Sequence, residues 1–209
     1  MNKNLALKIL LLIGIIIVTA NKAAFAACSS SASQTVAGSL PQLKQVVANG
    51  GNISATINET TGDLSAALTP AFRLTTNTSA PINVRMTSTC NTTTIVQNAF
   101  SGDGGVGTTF LILTNNTVLP TIAAVDDAKG AAVPAQNANV IAYAITPTAL
   151  VPAELSYTWD NANQYYNGVL THKGGTDTLL TTQTAPKAGT FSIADVDGVY
   201  QATIILSFV

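Results

Sequence analysis

The chain of 209 residues is 47% hydrophobic but only 9% charged, with nine basic and ten acidic residues and a net charge of −1. Roughly a quarter of an ordinary globular domain is charged. No basic cluster is present to neutralise phosphates, which excludes a nucleic-acid binder. The polar remainder is mostly Thr, Asn, Ser and Gly, with Glu only at Glu59 and Glu154, a composition that suits strands rather than helices.

Met1 to Ala26 has the pattern of a secretory signal peptide. Lys3 and Lys8 precede a 12-residue apolar run from Ile9 to Ala20, and Ala24-Phe25-Ala26 fits small-x-small cleavage. The run is short of the ~20 residues needed to span a bilayer as a helix. The expected mature chain starts at Ala27 and carries six basic against ten acidic residues, a net charge of −4. Export makes a Cys28–Cys90 disulfide the first expectation for the two cysteines. The residues also leave open a lipidated Cys28, because Phe25-Ala26-Ala27-Cys28 faintly resembles a lipobox.

Residues 27–45 form a small, polar N-terminal extension in which Val36 and Leu40 are the bulky apolar members. Residues 46–209 are the expected folded domain. Pro41 to Val47 is the one stretch with a weak helical pattern. Gly50-Gly51 marks a turn before a strand through Ile53, Ala55 and Ile57. Phe72 and Leu74, then Ile82, Val84 and Met86, alternate on either side of a turn-rich link from Asn77 to Pro81, which predicts a hairpin. The glycine cluster Ser101 to Gly107 precedes a strand and lacks Gly-Lys-Ser/Thr, so it reads as a loop and not a phosphate cradle.

Further strands are expected over Phe110–Leu113, Val118–Val125, Asn139–Ile145, Leu155–Trp159 and Gln164–His172, with a polar turn at Asp126–Gly130. After Asp197-Gly198 the chain ends in its most regular strand, with Tyr200, Ala202, Ile204, Leu206 and Phe208 on one side. About ten short strands with turn signals between them predict an all-β sandwich or barrel.

Catalytic patterns are absent. The single histidine, His172, has no accompanying nucleophile motif, and two cysteines with one histidine make no zinc site at a usual spacing. Asp195-x-Asp197-Gly198 lacks the further oxygen ligands of a calcium loop. Neither an enzyme nor a cofactor is expected.

The opening of the last strand at Gly198 and Tyr200, its alternation through Ile204, Leu206 and Phe208, and the Phe72–Val84 segment resemble the subunits of chaperone–usher fimbriae. The resemblance covers the mature chain loosely and is most specific in the final strand. It implies an immunoglobulin-like β-sandwich that is incomplete and completed by strand donation, filled first by a periplasmic chaperone and then by a neighbouring pilin subunit at the outer-membrane usher. It further implies that Tyr200, Ile204, Leu206 and Phe208 line the acceptor groove, and that the segment with Val36 and Leu40 is the donor strand. The protein would reach the cell surface as part of a fimbrium, where a host or surface receptor is an expected further partner. Two other readings stay open: a monomeric secreted or lipid-anchored β-sandwich binding module, and a small outer-membrane β-barrel.

Overall fold

A computed structural model describes residues 34–35, 37–102, 107–130, 138–187 and 193–209. The signal-peptide segment, Cys28 and Val36 lie outside the described residues. The chain divides into a stretch up to Pro41 and a body from Gln42 to Val209. In the first stretch the described residues have no regular secondary structure, and Leu40 is 84% exposed.

The body is an all-β sandwich of two antiparallel sheets. In chain order its strands are β1 (Lys44–Ala48), β2 (Ala71–Thr76), β3 (Ile82–Asn91), β4 (Val96–Asn98), β5 (Phe100–Gly102) and β6 (Thr109–Asn115). A helix, α1 (Ile122–Gly130), precedes β7 (Val140–Ala149), β8 (Leu155–Asp160), β9 (Tyr165–Leu170), β10 (Gly174–Pro186), β11 (Tyr200–Gln201) and β12 (Thr203–Phe208). The first sheet runs β1-β2-β10-β7-β6-β11, with β5 also on β6; the second runs β12-β3-β9-β8, with β4 also on β3.

Alternation is what builds the core. β2 turns Phe72, Leu74 and Thr76 inward, and β3 turns in Ile82, Val84 and Met86. β6 is buried along its whole length, as a strand covered on both faces must be. Leu74, Met86 and Ile112 have no exposed surface at all.

Four local expectations are corrected. β2 and β3 are strands, but they are not a hairpin: β2 pairs with β1 and β10, whereas β3 pairs with β12 and β9. The five-residue link carries the chain from one sheet to the other. Lys44–Ala48 is a strand rather than a helix, held in register against Phe72–Thr76. Residues 51–56 form no strand, and Ile57 makes only an isolated bridge to Leu64. Ile122–Gly130 is a helix where a strand and a turn were expected. Thr121 caps it by accepting the Ala124 N–H at 3.2 Å. Val125 and Ala128, three apart, turn into the core, and Asp126 and Lys129 pair at 3.5 Å on the outside.

The final strand also changes partners within itself. Tyr200 and Gln201 pair with Asn115 and Thr114 of the first sheet. Thr203 to Phe208 pair with Thr89 to Val84 of the second. Gly198, at φ 146°, sits in the turn before it, where a side chain would be strained. Asn115 fixes this entrance: its amide donates to the Val196 carbonyl at 3.0 Å while its carbonyl accepts the N–H groups of Thr117 and Val118.

Among the described residues Cys90 has no disulfide partner; it is 3% exposed at the end of β3, and its expected partner Cys28 lies outside them. Burial pushes the thiol up to about 11, only partly offset by the Lys129 ammonium. At pH 8 that rise of two units from 9.0 leaves about 100-fold less thiolate.

Two measurements follow from this packing. Leu74→Ala should lower unfolding stability by about 2–5 kcal/mol in urea titrations, because nothing around a fully buried leucine can collapse without loss. Iodoacetamide at pH 8 should label Cys90 of the folded chain about 100-fold more slowly than an exposed thiol of ordinary acidity. A folded and unfolded chain that both refuse label until reductant is added would instead carry the disulfide.

Candidate functional site

Two regions combine exposed strand edges with apolar side chains. One is the C-terminal strand β12, at the edge of the second sheet, paired among the described residues with β3 alone. The Val209 N–H donates to the Asn83 carbonyl at 3.0 Å, so residue 209 is a hydrogen-bonded position. Antiparallel ladders alternate. Residues 207, 205 and 203 therefore point their backbone groups at β3, and Ile204, Leu206 and Phe208 point theirs at the open edge. The side chains of those same three residues face inward: Leu206 is buried, and Ile204 and Phe208 are half-buried against the core.

The structure thus brings three of the four sequence-selected residues into one role. Among the described strands none pairs with the outward N–H and C=O of these three residues, and each carries an apolar side chain beneath the edge. Tyr200 is different. It lies in the first sheet, and its hydroxyl donates to the Val196 carbonyl at 2.8 Å, holding the turn before the strand. Leu40 is exposed and Val36 is outside the described residues, so the candidate donor segment has no observed pairing.

The second region lies between β8 and the last four residues of β7. It is a cleft of about 470 Å³. Its floor is aromatic, and Tyr166 is the hub. Tyr166 meets Trp159 at 5.0 Å, Phe100 at 5.7 Å and Tyr157 at 6.4 Å, all edge-to-face, the favoured aromatic geometry. Two of these rings have their polar tips bonded, Tyr166 in the interior and Trp159 at the surface. The Tyr166 hydroxyl is bonded to Thr109, and the Trp159 Nε1–H donates to Asn161 Oδ1 at 3.4 Å. Burial pushes Tyr157 up to about 12, with Thr178 beside its hydroxyl, so it is neutral at physiological pH. Among the described residues no charged side chain lines the cleft. Sequence alternation placed Leu155, Tyr157 and Trp159 on one face, but nothing local announced that β7 would stand opposite them.

His172 does not form a nucleophilic site. Its Nδ1 lies 3.1 Å from Glu154 Oε1, and Thr176 donates its hydroxyl to Glu154 Oε2 at 3.0 Å. The hydroxyl is bonded to the carboxylate and not to the imidazole, so the base–nucleophile contact is missing. Among the described residues no three His, Cys, Asp or Glu side chains converge on a metal-sized site. Asp195 instead accepts the Asn139 N–H, and Asn139 Oδ1 accepts the Val196 N–H at 3.0 Å, so this acidic stretch serves the turn.

No family model, no curated protein and no solved structure matches this chain.

Proposed function

We propose that this protein is a structural subunit of an extracellular fimbria, assembling by β-strand addition at the free edge of β12 and supporting adhesion or biofilm formation. The observation that carries the reading is the character of that edge. Thr203–Phe208 contains no charge and no proline, and Ile205 on its outer face is 46% exposed. Soluble proteins normally guard such edges with charges, prolines, bulges or a covering element. An unguarded apolar edge is suited to an incoming strand, which would satisfy the outward backbone groups of Ile204, Leu206 and Phe208 and cover the half-buried side chains of Ile204 and Phe208.

Under this reading the sandwich is immunoglobulin-like and incomplete until a donor strand is supplied. A periplasmic chaperone would cover the edge first, and the next subunit would replace it at the outer-membrane usher. The segment around Val36 and Leu40 is the donor the chain itself could offer to a neighbour. An outer-membrane barrel fits less well, because such barrels turn apolar side chains outward to lipid, whereas here Leu74, Met86 and Ile112 are enclosed between sheets. A monomeric secreted binding module is the second reading, favoured by the aromatic cleft.

The test is electron microscopy of sheared surface material from the parent strain, a deletion strain and a strain carrying Ile205→Lys. Fibres should be present in the first and lost from the other two. The purified Ile205→Lys chain should keep its β-type circular dichroism and lose no more than about 1 kcal/mol of stability, since the position is exposed. Identical fibres in parent and deletion strains would end the proposal.

A further inference from the structure

The cleft between β7 and β8 has properties that the assembly edge lacks, and they indicate a different occupant. One wall is β8, the edge strand of the second sheet; the other is residues 146–149, the end of β7, which runs past the described pairing of β7 with β6. The Thr171 N–H donates to the Glu154 carbonyl at 2.8 Å, so by antiparallel alternation residues 156, 158 and 160 face β9, and Leu155, Tyr157 and Trp159 present their backbone groups to the cleft. On the other wall the Leu150 N–H donates to Asp177 at 3.0 Å, which turns residues 148 and 146 toward β10 and residues 149 and 147 toward the cleft.

Residue 147 is proline. It stands at the one place where this wall would offer a second N–H to an added strand, and it has none to offer. Pro152 lines the same cleft. The opening therefore resists continuous strand pairing while keeping scattered backbone donors and acceptors. A proline-rich peptide in extended helical form is also poorly served. Its carbonyls need indole and phenol donors, and the Trp159 and Tyr166 donors are bonded within the protein.

What remains, among the described residues, is a cleft lined by no charged side chain, with half-buried aromatic side chains on its floor, exposed hydroxyls of Thr146, Thr148 and Ser156 at its rim, and backbone groups on both walls that no described ladder pairs. Its volume of about 470 Å³ is within the ~300–1,000 Å³ range of small-molecule sites. A pyranose ring matches that combination. It has an apolar C–H face to lie against Tyr157 and Trp159, and a belt of hydroxyls that both donate and accept. We infer that the β7–β8 cleft is a binding site for a neutral pyranose saccharide. The inference is independent of fibre assembly, because the cleft and β12 lie on different strands.

Trp159 is the only tryptophan in the chain, so the site contains its own reporter. The full secreted chain is titrated with the methyl glycosides of glucose, galactose, mannose and N-acetylglucosamine, each to 100 mM, with octaproline as a control. At least one glycoside should give a saturable change in Trp159 emission with a millimolar midpoint. Ser156→Arg, which places a bulky cation at the exposed rim, should weaken that midpoint at least tenfold while leaving the melting temperature within a few degrees. Arg in place of an exposed serine costs little in folding. Thr148→Val, which keeps shape and removes one rim hydroxyl, should weaken it several-fold. A flat titration with all four glycosides overturns the inference. Saturation that is unchanged in Ser156→Arg, or a response to octaproline alone, overturns it equally.

Discussion

Two residues tie the sheets to each other, and the sandwich depends on them. Ala99, with no exposed surface, donates its N–H to Ser88 of the second sheet at 3.2 Å and accepts from the Ile112 N–H of the first at 2.8 Å. Around it the chain passes from β4 in one sheet to β5 in the other. Ala202 marks the reverse crossing, from β11 on β6 to β12 on β3. Sheets packed only by side chains can slide; sheets that share strands cannot, because every ladder bond on one side fixes the register on the other. Ala99 suits its crossing, since its side chain is wholly enclosed there.

The shared strands also explain how the C-terminus is positioned. β12 is an edge, yet it is not free to fray. It is anchored upstream by the Asn115 bonds to the 196–197 turn and by the Tyr200 hydroxyl on Val196. It is anchored downstream by Val209 on Asn83. Held at both ends, its outward N–H and C=O groups are spaced and oriented before any partner arrives. Preorganisation of this kind lowers the ordering cost of adding a strand.

Much of this was legible in the sequence, and the limits are physical. Alternation in Phe72–Leu74, Ile82–Met86, Leu155–Trp159 and Tyr200–Phe208 identified strands and their buried faces, because period two depends only on which side meets the core. It carried no information on which neighbour supplies the hydrogen bonds. Hence β2 and β3 looked like a hairpin, and the partner change at Ala202 was invisible: Tyr200, Ala202 and Ile204 stay on one face across it. The helix at Ile122–Gly130 was missed because its buried stripe is only Val125 and Ala128, too short to stand out, although Pro120-Thr121 before it is a start signal. Of the candidate sites, Ile204, Leu206 and Phe208 were readable from one strand. The cleft was not, because its walls come from β7 and β8 and its floor draws in Tyr166 from β9.

The treatment of exposed edges separates the two sites by purpose. With so few charged residues, this chain has little opportunity to guard edges with lysine. It spends Lys44 on β1, the edge of the first sheet, and prolines at 147 and 152 on the β7–β8 opening. Each device prevents strand addition by a different means: a charge that resists desolvation, or a missing donor. β12 receives neither. Had the aim been a monomer, a single lysine at position 205 would have protected the edge at almost no cost to the core, because that side chain is half in solvent already. Its place is taken by isoleucine, flanked by residues whose free backbone groups and inward side chains present one continuous acceptor. Guarding β1 and the β7–β8 opening while leaving β12 bare is coherent if the bare edge is covered in the protein's working state, which is the physical content of reading this sandwich as one link in a chain of subunits.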